Sequence, residues 1–353
     1  MSATAETAIL RDESAVRVWL YCMCALIFAM ILVGGATRLT DSGLSITEWQ
    51  PILGIIPPLS DAAWQEALEK YRQIPQYQII NKGMSLSEFK FIYWWEWGHR
   101  FLGRMIGFAF LIPFIYFWVR GYLTRPMVPK LVIMFVLGGL QGALGWYMVM
   151  SGLVERTDVS QYRLAAHLCA AVVIFGYIFW VALRMGQEQT RQMPASSGLK
   201  ISAVALTVAV FIQIGLGAFV AGLDAGQGYN TWPLMDGAVV PAGLGAMSPW
   251  YLNLFENALT VQFNHRVAAY IVLIWAFAHA GIAIARSEPG AIAVSSGLLA
   301  VTTLVQVIIG IATLLAHVPL SLALLHQGAA IALFAVLLWH LTLLVPAPAP
   351  DRR

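Results

Sequence analysis

The sequence predicts an all-α membrane protein whose eight transmembrane helices form two tandem four-helix bundles, related by a quasi-twofold axis along the membrane normal. Three observations predict this fold: the composition, the uncharged stretches and an internal repeat. Of the 353 residues, 59% are hydrophobic and 11% are charged, against about 25% charged in an ordinary soluble domain. The mean hydropathy is +0.72. These values exclude a soluble enzyme and a disordered chain, and a net charge of +3 gives no reason to expect a nucleic-acid partner.

Each helix is predicted from a stretch without Asp, Glu, Lys or Arg that can cross roughly 30 Å at about 1.5 Å per residue. Four such stretches stand alone: Val18–Thr37, Leu131–Val154, Leu164–Leu183 and Ile201–Leu223. Two others, Met105–Val119 and Val267–Ala285, reach spanning length only when they are extended back to Trp95 and His265. The uncharged stretch Pro289–Pro350 supplies the last two helices, with a break at His317-Val318-Pro319.

The connections between the spans indicate orientation and location. If the N-terminus is inside, the short inward-facing segments are richer in Lys and Arg than the longer outer loops, which favours cytoplasmic N- and C-termini. The first span is too long for a signal peptide. Acidic residues at Glu6, Asp12 and Glu13 argue against a mitochondrial transit peptide, so we expect a bacterial plasma membrane.

The outer loop from Arg38 to Tyr93 is long enough to contain structure of its own. The segment Asp61–Arg72 places Trp64, Leu68 and Tyr71 on one helical face, which predicts an amphipathic helix lying at the membrane interface. The aromatic cluster Tyr93–Trp97 predicts an aromatic belt at the outer surface.

The two halves of the chain repeat each other. Asp41-Ser42-Gly43 precedes a tryptophan just as Asp224-Ala225-Gly226 does. Glu96–Arg100 corresponds to Gln262–Arg266, and Leu164–Ala171 corresponds to the segment around His326. Because an even number of spans separates the copies, the duplication is parallel, with one half at 1–190 and the other at 191–353.

Four histidines occupy matching positions in the even-numbered predicted spans: His99, His167, His265 and His326. Each is expected about one to two turns below the outer end of its helix, so that each half contributes two imidazoles at one depth. Two imidazoles facing each other inside a four-helix bundle can hold a heme iron by both axial positions. A lone intramembrane histidine is more simply a hydrogen-bonding contact between helices, but two matched pairs favour heme.

Two further histidines leave a second interpretation open. His279 and His340 follow His265 and His326 by fourteen residues, which returns to the same helix face about 21 Å deeper. A second heme between the same helices would use this spacing. Polar contacts near the inner helix ends are the favoured interpretation, because the first half does not repeat the pair.

One difference between the halves points to chemistry. Three residues before the corresponding histidines, the first half has Glu96 and the second has Gln262. A carboxylate within a membrane costs roughly 2.5–3.5 kcal/mol or more unless it is compensated, so Glu96 is a functional candidate. Its structural alternative is a pair with Arg100, four residues on. Arg100, Arg104 and Arg266 are candidate partners for heme propionates.

These motifs resemble the heme A synthase family. The resemblance rests on Glu88–Arg100 with Leu102-Gly103-Arg104, on Val159–His167, on Tyr229–Gly237 and on Gln262–Arg266. It covers nearly the whole chain and is closest to the alphaproteobacterial and mitochondrial branch. Gram-positive members carry a cysteine pair in the first outer loop, which has no cysteine here, so no thiol role is carried over.

The resemblance implies that the chain oxidises a methyl group of heme O to the formyl group of heme A, for terminal oxidase biogenesis. It implies that heme B is held by His265 and His326, and that the substrate heme lies between His99 and His167 with Glu96 as the catalytic carboxylate. Glu96 would stabilise developing positive charge and take a proton from an attacking water.

The expected partners are heme O, a heme O synthase, an electron donor that the sequence does not identify, the lipid bilayer and a second copy of the chain in a homo-oligomer. Two other functions stay open at this point. One is a multi-heme b-type electron carrier without catalysis, motivated by His279 and His340. The other is a metal or proton transporter that uses the intramembrane histidines.

Overall fold

The computed structural model describes residues 3–51, 53–185, 196–286, 288 and 290–345. Within these residues the chain is helical and contains no β-strand beyond one isolated bridge between Met235 and Ala238. The α-helices are α1 (Ala3–Leu39), α2 (Asp61–Arg72), α3 (Leu86–Val119), α4 (Met127–Met150), α5 (Gln161–Arg184), α6 (Ser197–Gly222), α7 (Ala258–Ala285), α8 (Gly290–Leu315) and α9 (Leu320–Leu344).

The eight predicted spans are confirmed. In the described part of the chain, eight helices are long and apolar enough to cross a membrane: Glu13–Leu39 of α1, and all of α3 to α9. The predicted break also holds, because α8 ends at Leu315 and α9 begins at Leu320. Between them, His317 and Val318 adopt φ values of 61° and 58°, which no helix continues through.

Two helices begin earlier than the uncharged stretches indicated. α3 begins at Leu86 with a capping box, in which the Ser85 hydroxyl accepts from the Glu88 amide and the Glu88 carboxylate accepts from the Ser85 amide. α7 begins at Ala258, after Asn257 caps its first turn. His99 therefore lies thirteen residues inside α3, about three and a half turns and not one to two.

The extra length of α3 supports the predicted helix α2. Trp64, Leu68 and Tyr71 are buried, and they pack with Phe89 near the start of α3. The apolar face of α2, which was expected to lie at the membrane interface, therefore packs against protein. The aromatic cluster at Tyr93–Trp97 lies within α3, where Tyr93 joins the same packing and Trp94 stays 46% exposed.

The helices of the two halves have matching neighbours. α1 contacts α3 and α5, as α6 contacts α7 and α9, while α4 and α8 each contact the helices before and after them. Between the halves, the contact of α5 with α6 is matched by that of α9 with α1, and α5 packs directly on α9. The predicted boundary at 190/191 falls in the segment 186–195, outside the described residues.

Candidate functional site

The four repeated histidines are placed by four different helices: His99 on α3, His167 on α5, His265 on α7 and His326 on α9. The His265 and His326 rings face each other edge-on, with centroids 6.4 Å apart and planes at 81°. His99 and His167 occupy the corresponding helices of the first half, each against a glycine of the spanning helix before it. The structure therefore brings together the predicted pair of the C-terminal half, His265 and His326.

A glycine on the preceding spanning helix lies against each of these histidines. A Cβ added at Gly145 would lie 2.9 Å from Cε1 of His167, and one added at Gly310 would lie 2.7 Å from Cε1 of His326. The corresponding contacts in α1 and α6 are Gly34 with His99, at 3.2 Å, and Gly217 with His265, at 3.1 Å. Glycine is needed at these positions because a side chain would displace the ring.

A glutamine fixes three of the four rings. The Gln141 amide nitrogen donates to the His167 carbonyl at 2.8 Å and lies 3.2 Å from its Nδ1. Gln213 makes the same two contacts to His265, at 2.9 and 3.1 Å, and Gln306 makes them to His326, at 3.0 and 3.1 Å. Each glutamine precedes the facing glycine by four residues, so both lie on one face of the helix.

The arrangement fits a heme iron in the C-terminal half. Two metal–imidazole bonds of about 2.0 Å, together with the radii of the two rings, account for a centroid separation of roughly 6 Å, close to that of His265 and His326. Imidazoles that bind a metal through one nitrogen need the other nitrogen fixed by an outer partner. Gln213 and Gln306 supply such partners.

Glu96 is held by three donors. One carboxylate oxygen accepts from the Ser45 hydroxyl at 2.7 Å and from the Ile46 amide at 2.8 Å. The other accepts from the Arg100 guanidinium at 2.6 Å. The Glu96 side chain is only 3% exposed, so this ion pair lies inside the protein. Arg100 also donates to the carbonyls of Ile46 and Glu48, which ties the outer loop to α3.

Gln262 occupies the same position in the second half, with the hydrogen bond to the loop reversed and the one from the arginine kept. Its amide nitrogen donates to the Ala225 carbonyl at 2.6 Å, and its oxygen accepts from Arg266 at 2.9 Å. Arg266 then donates to the carbonyls of Tyr229 and Thr231. The Glu-to-Gln difference between the halves therefore has a structural cause: a loop N–H faces Glu96 and a loop carbonyl faces Gln262.

The arginines predicted as propionate partners are mainly loop anchors in this structure. Arg100 and Arg266 are engaged as described, and Arg104 donates to the carbonyls of Gln50 and Pro51. Nη1 of Arg104 and Nε of Arg266 are each buried without a hydrogen-bond partner among the described residues. Both arginines therefore have a donor left to offer.

His279 and His340 do not form a second site of the same kind. Their Nε2 atoms are 3.0 Å apart, in direct hydrogen-bond contact, and their ring centroids are separated by only 5.1 Å. The hydrogen bonds run in one direction: Trp275 donates to Ser202, Ser202 to His279, His279 to His340, and His340 to Ser295. Ser295 donates onward to a backbone carbonyl. This chain joins α6, α7, α8 and α9 and satisfies both imidazoles in their neutral form.

Sequence reasoning missed two features. The motif Gln-x-x-x-Gly occurs at Gln141, Gln213 and Gln306 and was a signal that could have been read. Arg38 gave no such signal: it donates to Asp41 at 3.1 Å and to Asp224 at 2.7 Å, which are the corresponding aspartates of the two halves. This contact joins the halves at one end of the helices, and only the tertiary structure brings it together.

The fold and these residues define a helical membrane protein with paired histidines between its spanning helices. Residues 17–338 match the family described as cytochrome oxidase assembly protein, COX15-CtaA. A protein named heme A synthase from Parvibaculum lavamentivorans is 54% identical over 330 residues, which cover 93% of this chain and 94% of that protein. Proteins of the same name from Chelativorans sp. and Bradyrhizobium diazoefficiens are 55% and 52% identical, over 94% and 91% of this chain and 92% and 89% of their own length. The chain belongs to this family, and the resemblance read from its motifs is confirmed.

Proposed function

We propose that this protein is a heme A synthase, which oxidises the methyl group of heme O to the formyl group of heme A. The observation that carries the proposal is the edge-on pair of His265 and His326, with His99 and His167 at the corresponding positions on the helices of the other half. Relatives named heme A synthase, at 50–55% identity over most of their length, support it.

The two halves have different tasks in this proposal. His265 and His326 hold heme B, which supplies a one-electron redox centre when it is bound. His99 and His167 bind the substrate heme O in the half that carries Glu96. The matched helix neighbours of the two halves support a duplicated architecture with a quasi-twofold axis.

Glu96 is the residue proposed to handle the proton. Each carboxylate oxygen has two lone pairs, and among the described residues Arg100 is the one donor to Oε1. That oxygen can accept a proton from a water while Ser45 and Ile46 hold the other oxygen in place. The same contacts keep the carboxylate one helical turn from His99.

The surroundings of the reaction are also part of the proposal. The N- and C-termini lie on the cytoplasmic side of a bacterial inner membrane, which puts the heme-binding histidines near the outer face. A heme O synthase delivers the substrate and a separate electron donor or acceptor completes the redox cycle. A homo-oligomer is compatible with both of these partners.

Heme extraction tests the proposal. The full chain is expressed with a heme O synthase in a bacterium that makes no heme A, and the extracted hemes are identified by mass. Heme A should form, together with heme B in the purified protein. His326→Ala should reduce the heme B content, and His99→Ala should abolish heme A while leaving heme B. Protein that retains heme B alone, without heme O or heme A under any condition, would contradict the proposal and restore the electron carrier, and protein without a Soret band would favour a transporter.

Glu96→Ala tests the role of the carboxylate, with Gln262→Ala as its matched control. Both variants lose an anchor of the outer loop to its helix, but only the first loses an acid. We expect Glu96→Ala to make no heme A and Gln262→Ala to retain measurable formation. Equal losses in the two variants would assign the effect to loop anchoring.

A further inference from the structure

A five-residue motif, Gln-x-x-x-Gly, lies against three of the four heme-site histidines and is altered at the fourth. Gln141, Gln213 and Gln306 each lie four residues before the glycine that faces their histidine. At the corresponding position in α1, four residues before Gly34, the chain has Met30. Its terminal methyl group packs toward α3, 3.1 Å from where a Cβ at Gly103 would lie.

His99 consequently differs from the other three histidines. A thioether has no N–H to donate, and no described residue makes a hydrogen bond to the His99 ring. The ring also presents a different edge to its glycine. Nε2 is the atom nearest to a Cβ at Gly34, at 3.2 Å, whereas Cε1 is nearest for the other three histidines.

The glutamines suit a histidine that must stay on a metal. Each glutamine amide nitrogen donates to the carbonyl of its histidine and also lies within hydrogen-bond distance of Nδ1. The imidazole and its backbone are thereby tied to the spanning helix that precedes them, which restricts the movement of the ring.

We propose that Met30 makes His99 the releasable axial ligand of the substrate heme, while glutamines keep the other three histidines in place. Met30 is thus a positioning residue that acts through His99, and the inference rests on the proposed function. One weakly held ligand at the substrate site lets the product leave, since only one bond to iron must break first. The heme B site has a glutamine on both sides and keeps its cofactor.

Binding of carbon monoxide to the reduced, purified full-length protein tests this assignment. Carbon monoxide binds ferrous heme only where an axial ligand has left. In the unmodified protein, the heme O or heme A bands should shift and the heme B bands should not. Met30→Gln should slow the shift about fivefold, the effect of one hydrogen bond. Gln213→Met, the reciprocal change, should make heme B react, and Gln306→Met serves if that variant does not fold.

The outcomes separate the inference from the proposed function. If the protein contains heme B with heme O or heme A, but the three proteins react with carbon monoxide alike, the role of Met30 is wrong and the proposed function stands. If heme B reacts before the substrate heme in the unmodified protein, the assignment of the releasable ligand is reversed. If no heme O or heme A is bound, both fail together.

Discussion

Replacing Glu96 with alanine should destabilise the protein more than the same change at Gln262. Glu96→Ala removes an acceptor from the Ser45 hydroxyl, the Ile46 amide and the Arg100 guanidinium. Gln262→Ala removes one donor to the Ala225 carbonyl and one acceptor from an arginine. The two residues are comparably buried, at 2% and 3% exposed, so the comparison reports the charge and the one additional hydrogen bond of Glu96.

The size of the stability loss depends on the Arg100 charge that stays buried after the substitution. Removing one member of a buried ion pair costs about 3–5 kcal/mol, because the other charge stays desolvated. Arg100 is 17% exposed and keeps two carbonyl partners, which places Glu96→Ala toward the lower end. Gln262→Ala loses one neutral hydrogen bond, of about 0.5–1.5 kcal/mol, and one from the Arg266 guanidinium, of about 1.5–3 kcal/mol. It separates no ion pair, so we expect it to cost less than Glu96→Ala.

Unfolding of both variants in one detergent, followed by far-UV circular dichroism against increasing denaturant, measures the difference. The free energy of unfolding should fall more for Glu96→Ala than for Gln262→Ala. The double variant should show the two losses adding, since the sites lie in different halves. Equal losses would refute the additional cost assigned to the buried ion pair, and a Glu96→Ala protein as stable as the unmodified one would refute the view that Glu96 anchors the loop.

Three other changes give independent tests. His340→Leu should lower the free energy of unfolding by about 1–3 kcal/mol, because it leaves Nε2 of His279 without its hydrogen-bond partner. The double variant with His279→Leu should lose less stability than the sum of the two single variants. Strictly additive losses in a denaturation cycle would contradict the shared hydrogen bond. Gly310→Ala should lower the heme B content per protein about tenfold, because the added methyl group displaces the His326 ring. Gly139→Ala is the control, since nothing lies within 4 Å of its Cβ, and it should leave the heme B content unchanged. Equal heme content in the two variants would rule out the close contact. Burial raises the pKa of Tyr71 to about 12. Its phenol should therefore stay neutral in the folded protein as the pH rises past 10, while the same phenol ionises in the unfolded chain, so the free energy of unfolding should fall above pH 10. A tyrosinate absorbance step near pH 10 that disappears in Tyr71→Phe would contradict this prediction.

The spans could be predicted from the sequence because the free-energy cost of burying charge in lipid acts on each helix separately. Seven uncharged stretches, the last of them divided in two, predicted eight helices, and the break before Pro319 was found where His317 and Val318 leave the helix. The starts of α3 and α7 were predicted too late, since they are set by the caps at Ser85 and Asn257 and by packing on α2. Hydropathy does not report such local contacts.

The histidine pairs were predicted because the repeat places them at matching positions, and the structure brings His265 and His326 together. The interpretation of Glu96 needed the tertiary structure. From sequence, its difference from Gln262 favoured proton chemistry over a pair with Arg100. The fold shows that pair, together with a local backbone that presents an N–H at Ile46 and a carbonyl at Ala225. A carboxylate and an amide are therefore each required by the group opposite.

Hydropathy and repeated motifs by themselves predicted a helical membrane protein with an internal sequence repeat and four histidines at repeated positions, because those properties depend on neighbours along the chain. Only the tertiary structure decided that His279 and His340 bond to each other, that three glutamines contact the rings of three of the four histidines, and that Arg38 joins the halves. Each of these contacts links different helices, and their partners are chosen by packing geometry that no stretch of one helix contains.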